Sequence, residues 1–178
     1  MRKNNSGMTI VEIVVVVAIL AILAGTGLYG IGQLGGFRAR EGADTIYNSL
    51  MEARIATLGK AKSTGNIAWE LYEKDGSFYV RTVYDADGTP YYRDEQKIVD
   101  GKVTVSTGQK NGAAVSVAEM ASGETYRVYF NRSTGAACAA DGATLALNPY
   151  IVVKYGAKDY GVEIVAKTGK IISDTVKK

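Results

Sequence analysis

Histidine is absent from this chain of 178 residues, and cysteine occurs once, as Cys138. The lack of histidine removes the commonest general base and the commonest metal ligand, which disfavours an ordinary hydrolase. A single cysteine excludes an internal disulfide and gives no information on export. Proline is scarce, with 2 residues, whereas glycine (21) and tyrosine (12) are plentiful. We therefore expect a turn-rich β-sheet with half-exposed tyrosines, and neither catalysis by this chain nor a bound cofactor.

A large charge excess is lacking as well, because the formal net charge at pH 7 is only +3. The scattered lysines and arginines form no dense basic stripe with interleaved aromatic residues, so nucleic acid is not an expected partner. Asp85 and Asp87 are candidates for a calcium loop, but the EF-hand pattern would need an acid where this chain has Val83. A turn is the preferred interpretation of that segment, and no metal is expected there.

The first 36 residues divide into two zones of opposite character. Residues 1–7 are polar and positive, whereas residues 8–36 are nearly all apolar, with no charge from Ile13 through Phe37. A helix of about 20 residues spans ~30 Å, which is the thickness of the bilayer core. Residues 8–36 are therefore predicted to form a membrane-spanning helix.

From residue 37 the apolar residues follow the period of an amphipathic helix, which continues to a predicted end near Gly65. Residues 66–178 are predicted to form a β-rich head domain. They consist of short runs in which apolar and polar residues alternate, or which are rich in aromatic residues, with glycines between the runs. The fold class is therefore α+β, with one long N-terminal helix packed through its second half on an antiparallel sheet.

Nine strands are predicted in the head, and the residues between the first two read as a hairpin turn. The Gly/Ala/Ser-rich residues 107–122 are predicted to be a loop with a short helical turn at Val117–Met120. The predicted strands are Ile67–Glu73, Ser77–Tyr84, Gln96–Val99, Lys102–Ser106, Thr125–Phe130, Thr144–Leu147, Tyr150–Tyr155, Gly161–Ala166 and Lys170–Ser173.

Glu12 is the informative residue, because it is a carboxylate inside the start of the apolar run. A charge there costs about 2.5–3.5 kcal/mol at mid-bilayer, and less near an interface. Cleavage before Met8 would create an amine one helical turn from Glu12. Such a pair about 4 Å apart attracts by ~4 kcal/mol at an effective dielectric near 20, before desolvation is counted. The amine could belong to the same chain or to a neighbour.

The segment Ser6–Ile13, with its basic leader, Gly7, Thr9 and Glu12, resembles the class III signal of type IV prepilins and pseudopilins. The resemblance implies that a membrane aspartyl protease cuts between Gly7 and Met8 and methylates Met8. It also implies that Glu12 pairs with the N-terminus of an adjacent subunit during assembly. Met8 stands where the family usually has phenylalanine.

Three further segments resemble the GspH/FimT branch of the pseudopilins. They are the helix around Ala53-Arg54, the segment Val128–Gly135 and the segment Val162–Ile171. This second resemblance implies a minor, tip-associated subunit of a type IV pilus or a type II secretion-like pseudopilus. The implied partners are other pilin subunits, the prepilin peptidase, the assembly platform of the inner membrane and, before assembly, the bilayer.

The implied location is the cytoplasmic membrane, with the N-terminus in the cytoplasm and the head outside, followed by a filament. Gly25, Gly27 and Gly30 can be tolerated small residues of a transmembrane helix, in which Gly32 and Gly36 have packing spacing. Alternatively, they can let the helix loosen in such a filament, since each costs roughly 1 kcal/mol relative to alanine. Three alternatives stay open: an uncut single-pass anchored binding module, an exported enzyme with a genuine signal peptide, and a tip subunit of a DNA-uptake pseudopilus.

Overall fold

The computed structural model describes residues 9–60, 66–85, 89–100 and 103–176, and within the helix it describes only the backbone of residues 24–35. The chain divides into two compact units, residues 1–34 and residues 35–178. Gly7, Met8 and Asp87, and with them the predicted cleavage site, lie outside the described residues.

Helix α1 runs from Ile10 to Thr57. Within the second unit it buries one stripe of apolar side chains at spacings of three and four residues, as the amphipathic pattern predicts. The buried residues are Ala39, Ala43, Ile46, Leu50 and Ala53, each fully shielded from solvent. Burial of a leucine or isoleucine of this kind contributes about 1.5–3 kcal/mol.

The predicted helix end near Gly65 is wrong, because α1 stops at Thr57. Gly59 adopts a φ of 74°, a left-handed conformation that ends a helix at little cost for glycine. Its N–H donates to the carbonyl of Arg132 at 3.1 Å, which ties the end of the helix to a loop of the head.

Among the described residues, ten strands follow the helix and form two antiparallel sheets of five strands each. The first sheet has the order β3-β2-β1-β6-β7, and the second has the order β10-β9-β8-β4-β5. The strands are β1 (Asn66–Lys74), β2 (Ser77–Asp85), β3 (Pro90–Lys97), β4 (Thr104–Asn111), β5 (Ala114–Glu119), β6 (Thr125–Phe130), β7 (Ala137–Cys138), β8 (Asn148–Tyr155), β9 (Lys158–Val165) and β10 (Lys170–Thr175). The α+β class is confirmed, although a single sheet was expected.

Two hairpins show how turn chemistry sets the strand order. Asp75 and Gly76 between β1 and β2 both have positive φ, at 54° and 72°, which is the pattern of a type I′ turn and confirms the predicted hairpin. Between β4 and β5, Gly112 has a φ of 59° at the first central position, as in a type II′ turn.

The second hairpin corrects the sequence-based prediction of a loop with a helical turn at residues 107–122. Residues 107–111 belong to β4 and residues 114–119 to β5, and the two strands pair from Ser106↔Glu119 to Asn111↔Ala114. Thr144 makes only an isolated bridge to Cys138, so the strand predicted at 144–147 does not form. β3 also begins earlier than predicted, at Pro90.

The core of the second unit is one cluster to which α1 and both sheets contribute. Trp69 of β1 is fully buried in it, and its indole Nε1–H donates to the Ser49 hydroxyl of α1 at 2.8 Å. This hydrogen bond satisfies the one polar group of the indole and fixes the helix against the first sheet.

Candidate functional site

The start of α1 carries a reciprocal cap between Thr9 and Glu12. Thr9 precedes the first helical residue, and its hydroxyl accepts from the Glu12 N–H at 3.3 Å. In return, Glu12 Oε2 accepts from the Thr9 N–H at 2.9 Å and from the Thr9 hydroxyl at 3.1 Å. This is a capping box, which satisfies backbone donors that the first turn leaves unpaired. The carboxylate is thereby held at the N-terminal end of the helix.

Glu12 was predicted from the sequence as a site residue, whereas Thr9, its partner within the chain, was not. The signal was present, because threonine followed three residues later by glutamate, just before an apolar run, is the capping-box pattern. Glu12 is exposed, so its carboxylate is accessible to a further donor.

The helix surface after this cap is apolar and exposed. Among residues 10–23 eleven large aliphatic side chains expose between 44% and 81% of their surface: Ile10, Val11, Ile13, Val14, Val15, Val16, Val17, Ile19, Leu20, Ile22 and Leu23. Within the described part of the chain, no helix meets the length and hydropathy needed to cross a bilayer. The backbone of Gly25, Gly27 and Gly30 lies in α1, and their predicted loosening of the helix stays a prediction.

A second candidate site lies where Arg54 of α1 meets two loops of the head. The Arg54 Nε–H donates to the carbonyl of Gly135 at 3.0 Å, and a terminal N–H donates to the carbonyl of Thr168 at 3.1 Å. Gly135 and Gly169 have φ values of 69° and 64°. A Cβ at Gly169 would lie 1.6 Å from the Gly135 oxygen, so the two loops approach each other in a way that only glycine permits.

This Arg54 junction brings together the three segments that carry the second resemblance. The segment around Ala53-Arg54 supplies the guanidinium, Val128–Gly135 supplies one carbonyl, and Val162–Ile171 supplies the other. The junction holds the last turn of α1 against the loop that follows β6 and the turn between β9 and β10.

A buried carboxylate lies on the face of the first sheet that points away from α1. Glu70 of β1 is fully buried, and its two oxygens accept from Arg81 of β2 and from Arg127 of β6. The hydrogen bond that Arg127 donates to the Glu70 carboxylate raises the pKa of Arg127. Arg81 also lies over the rings of Tyr72 and Tyr92, at 4.2 and 3.7 Å from their centroids. The neighbours of Glu70 thus occupy its lone pairs, which suits a structural ion pair rather than a reactive group.

A shallow groove of about 710 Å³ lies beside the end of α1, and Lys60, Asp85, Arg132, Cys138 and Asp141 are among the residues that line it. Burial, with a smaller contribution from Asp141, raises the pKa of the Cys138 thiol, so the thiol stays protonated near neutral pH. Among the residues that the structure describes, no three His, Cys, Asp or Glu side chains form a group that could hold a metal ion. Asp85 is the last residue of β2, and its role as a candidate calcium ligand rests on the sequence alone.

Comparison with known families gives a match on the N-terminal segment. The match is to the Prokaryotic N-terminal methylation motif, over residues 2–28. This motif supports a type IV pilin-like or pseudopilin-like protein, and it implies processing by prepilin peptidase and assembly with other pilins. No curated protein and no solved structure matches the chain.

Proposed function

We propose that this protein is a structural subunit of a type IV pilus or of a type II secretion-like pseudopilus. In this proposal the chain is cut between Gly7 and Met8, methylated at Met8 and assembled through residues 8–36. The methylation motif over residues 2–28 supports the processing step. The chain itself is the substrate of a peptidase and catalyses nothing.

The apolar surface of residues 10–23 is the observation that carries the proposal. Eleven large aliphatic side chains there are roughly half exposed. Removing the exposed half of each side chain from water contributes about 1 kcal/mol of hydrophobic free energy, or ~10 kcal/mol for all eleven. That sum is comparable to the whole stability of a folded domain. A surface of this kind is therefore expected to be buried against another apolar phase. In this proposal the bilayer buries it before assembly, and other such helices bury it in the filament.

Glu12 supplies the register of assembly in this proposal. Its carboxylate accepts from Thr9 at the N-terminal end of the helix and is exposed, which leaves it accessible to the amine of a neighbouring subunit. Pairing with that amine would neutralise a charge that an apolar filament core otherwise disfavours.

The Arg54 junction supports the narrower assignment to a minor subunit of the GspH/FimT branch. The segments that resemble this branch lie far apart in the sequence, yet they meet through the two hydrogen bonds of Arg54.

The test is the N-terminal mass of the membrane-extracted protein, followed by an assembly assay. A start at an N-methylated Met8 is expected. An intact Met1 would favour a single-pass anchored module, and a start near Gly25 would favour a secreted enzyme. Either of these two results would overturn the proposal.

Glu12→Ala tests the pairing separately from the cleavage. The variant should be cut and should insert normally, but its share of the sheared filament fraction should fall by about tenfold if a net ~1.4 kcal/mol per contact is lost. Glu52→Ala is the matched control, because Glu52 is an exposed glutamate on the second half of the same helix. Normal incorporation of Glu12→Ala would contradict the pairing while leaving the cleavage site intact.

A further inference from the structure

Four strands end the two sheets within the described residues, and three of them carry features that discourage pairing with another chain. β3 starts with proline, carries four charged residues and has a register break opposite β2. β7 has two residues, and β10 carries a lysine and an aspartate. Charge, proline, bulges and shortness are the usual protections of a sheet edge.

β5, residues Ala114–Glu119, is the terminal strand that lacks these protections. All six of its residues are exposed, and it has no proline and no charge before Glu119. Its pairing with β4 runs without a register break. Val115 and Val117 project from one face with 45% and 38% of their surfaces exposed. The outer edge of β5 is therefore a regular, uncharged strand edge.

The sequence of this strand reads the same in both directions. Residues 114–118 are Ala-Val-Ser-Val-Ala, with Ser116 at the centre. When two identical strands pair antiparallel about a twofold axis, the residue at the centre faces its own copy. In this register Val115 faces Val117 of the other copy, so four valines meet on one face, and Glu119 faces Ala113 and no like charge.

We infer that β5 is a self-recognition edge: two copies of this chain pair antiparallel through residues 114–118, with the twofold axis at Ser116, and join their second sheets into one continuous sheet. The palindromic sequence, the exposed valines and the absence of like-charge opposition favour a second copy over an unrelated strand. The inference does not depend on cleavage of the chain or on Glu12.

Disulfide cross-linking of the full chain in detergent tests the register. Directly opposed residues of antiparallel strands have Cα atoms about 4.5–5.5 Å apart, which suits a disulfide. In a Cys138→Ala background, Ser116→Cys oxidised with copper phenanthroline should give roughly tenfold more covalent dimer than Ser133→Cys, an exposed serine in a loop. Equal dimer yields from the two variants would overturn the inference.

A second pair of variants distinguishes this register from any other contact. In the proposed register the Cα atoms of residue 115 in the two copies would lie about 8 Å apart, which is too far for a disulfide. Residue 115 of one copy would instead lie directly opposite residue 117 of the other copy. Val115→Cys and Val117→Cys should therefore cross-link poorly alone and about tenfold better when mixed. Cross-linking of either variant alone as efficiently as the mixture would overturn the proposed register.

Sedimentation of the detergent-solubilised chain measures its oligomeric state without introduced cysteines. Ser116→Lys places two positive charges opposite each other and should abolish the dimer, whereas Ser116→Thr should retain it. A dimer that survives Ser116→Lys would contradict the inference. The same dimer should form in Glu12→Ala, so failure of the filament proposal and failure of the β5 pairing give different results.

Discussion

Replacement of Gly169 by alanine tests whether the Arg54 junction depends on the close approach of two glycine loops. Alanine at a φ of 64° costs about 1–2 kcal/mol from backbone strain alone. The new Cβ would also lie 1.6 Å from the Gly135 oxygen, so that the loop must move by nearly 2 Å to reach an ordinary contact of ~3.4 Å. Such a movement breaks the 3.0 Å hydrogen bond from Arg54 to Gly135.

A hydrogen bond from a charged donor contributes about 1.5–3 kcal/mol, so, together with the backbone strain, we expect Gly169→Ala to lower the free energy of unfolding by about 2.5–5 kcal/mol. Gly156→Ala is the matched control. Gly156 has a φ of 60° in the turn between β8 and β9, and a Cβ there meets no atom within 4 Å. It should therefore lose only the backbone contribution of about 1–2 kcal/mol.

Urea unfolding of the full chain in mild detergent measures both variants through Trp69. This residue is the only tryptophan, it is fully buried, and it is hydrogen-bonded to the helix, so its fluorescence reports the packing of α1 on the first sheet. Equal losses in the two glycine variants would refute the close-approach argument. Arg54→Met adds a further test, because its effect should shrink in the Gly169→Ala background if the new methyl group has already displaced the Gly135 carbonyl.

Two further predictions concern the carboxylates of β1. Glu70→Gln should lower the free energy of unfolding by about 1.5–3 kcal/mol in the same urea assay, because it removes the charge that Arg81 and Arg127 share while both arginines keep some contact with solvent, and a loss below ~1 kcal/mol would contradict this. For Glu73, hydrogen bonds from the Ser122 hydroxyl and from two backbone N–H groups hold the pKa below its usual 4.5. Its contribution to stability is therefore present above about pH 5 and is lost as the pH falls through the lowered pKa. Urea titrations at pH 7 and pH 4 should show a smaller acid loss for Glu73→Gln than for the wild type, and equal losses would refute the assignment.

The parts of the fold that could be predicted from sequence are those set by neighbouring residues. The hairpin at Asp75-Gly76 needs two adjacent residues that tolerate positive φ, and both are visible in the sequence. The importance of Glu12 followed from one charge at the start of an apolar run. The stripe on α1 followed from its period. The end of the helix did not, because the prediction assigned it to Gly65, whereas Gly59, with its left-handed φ of 74°, ends the helix.

The parts that could not be predicted depend on partners distant in the chain. Residues 107–122 have a loop-like composition, but Gly108 is required because a Cβ there would meet the Ser116 carbonyl of the paired strand at 2.0 Å. The charge of Glu70 gave no sign of burial, since one of its partners, Arg127, is 57 residues away. The Arg54 contacts span 81 and 114 residues, so no local pattern indicates them.

The cap at Thr9 gives the proposed cleavage a second physical consequence. Before cleavage, the residue ahead of Thr9 offers only an amide, and the cap with Glu12 is worth about 1 kcal/mol. After cleavage, an ammonium group competes for the same carboxylate with an attraction of ~4 kcal/mol at 4 Å and an effective dielectric near 20. Glu12 should therefore exchange its local partner for an amine only in the cut chain. Under the proposed function, uncut subunits have no amine to offer Glu12, and in cut subunits the cap competes with the amine for the carboxylate. Thr9→Val, which lacks the hydroxyl, should therefore raise the share of the cut chain in the sheared filament fraction, whereas Thr9→Ser should not. An unchanged share in Thr9→Val would contradict this competition.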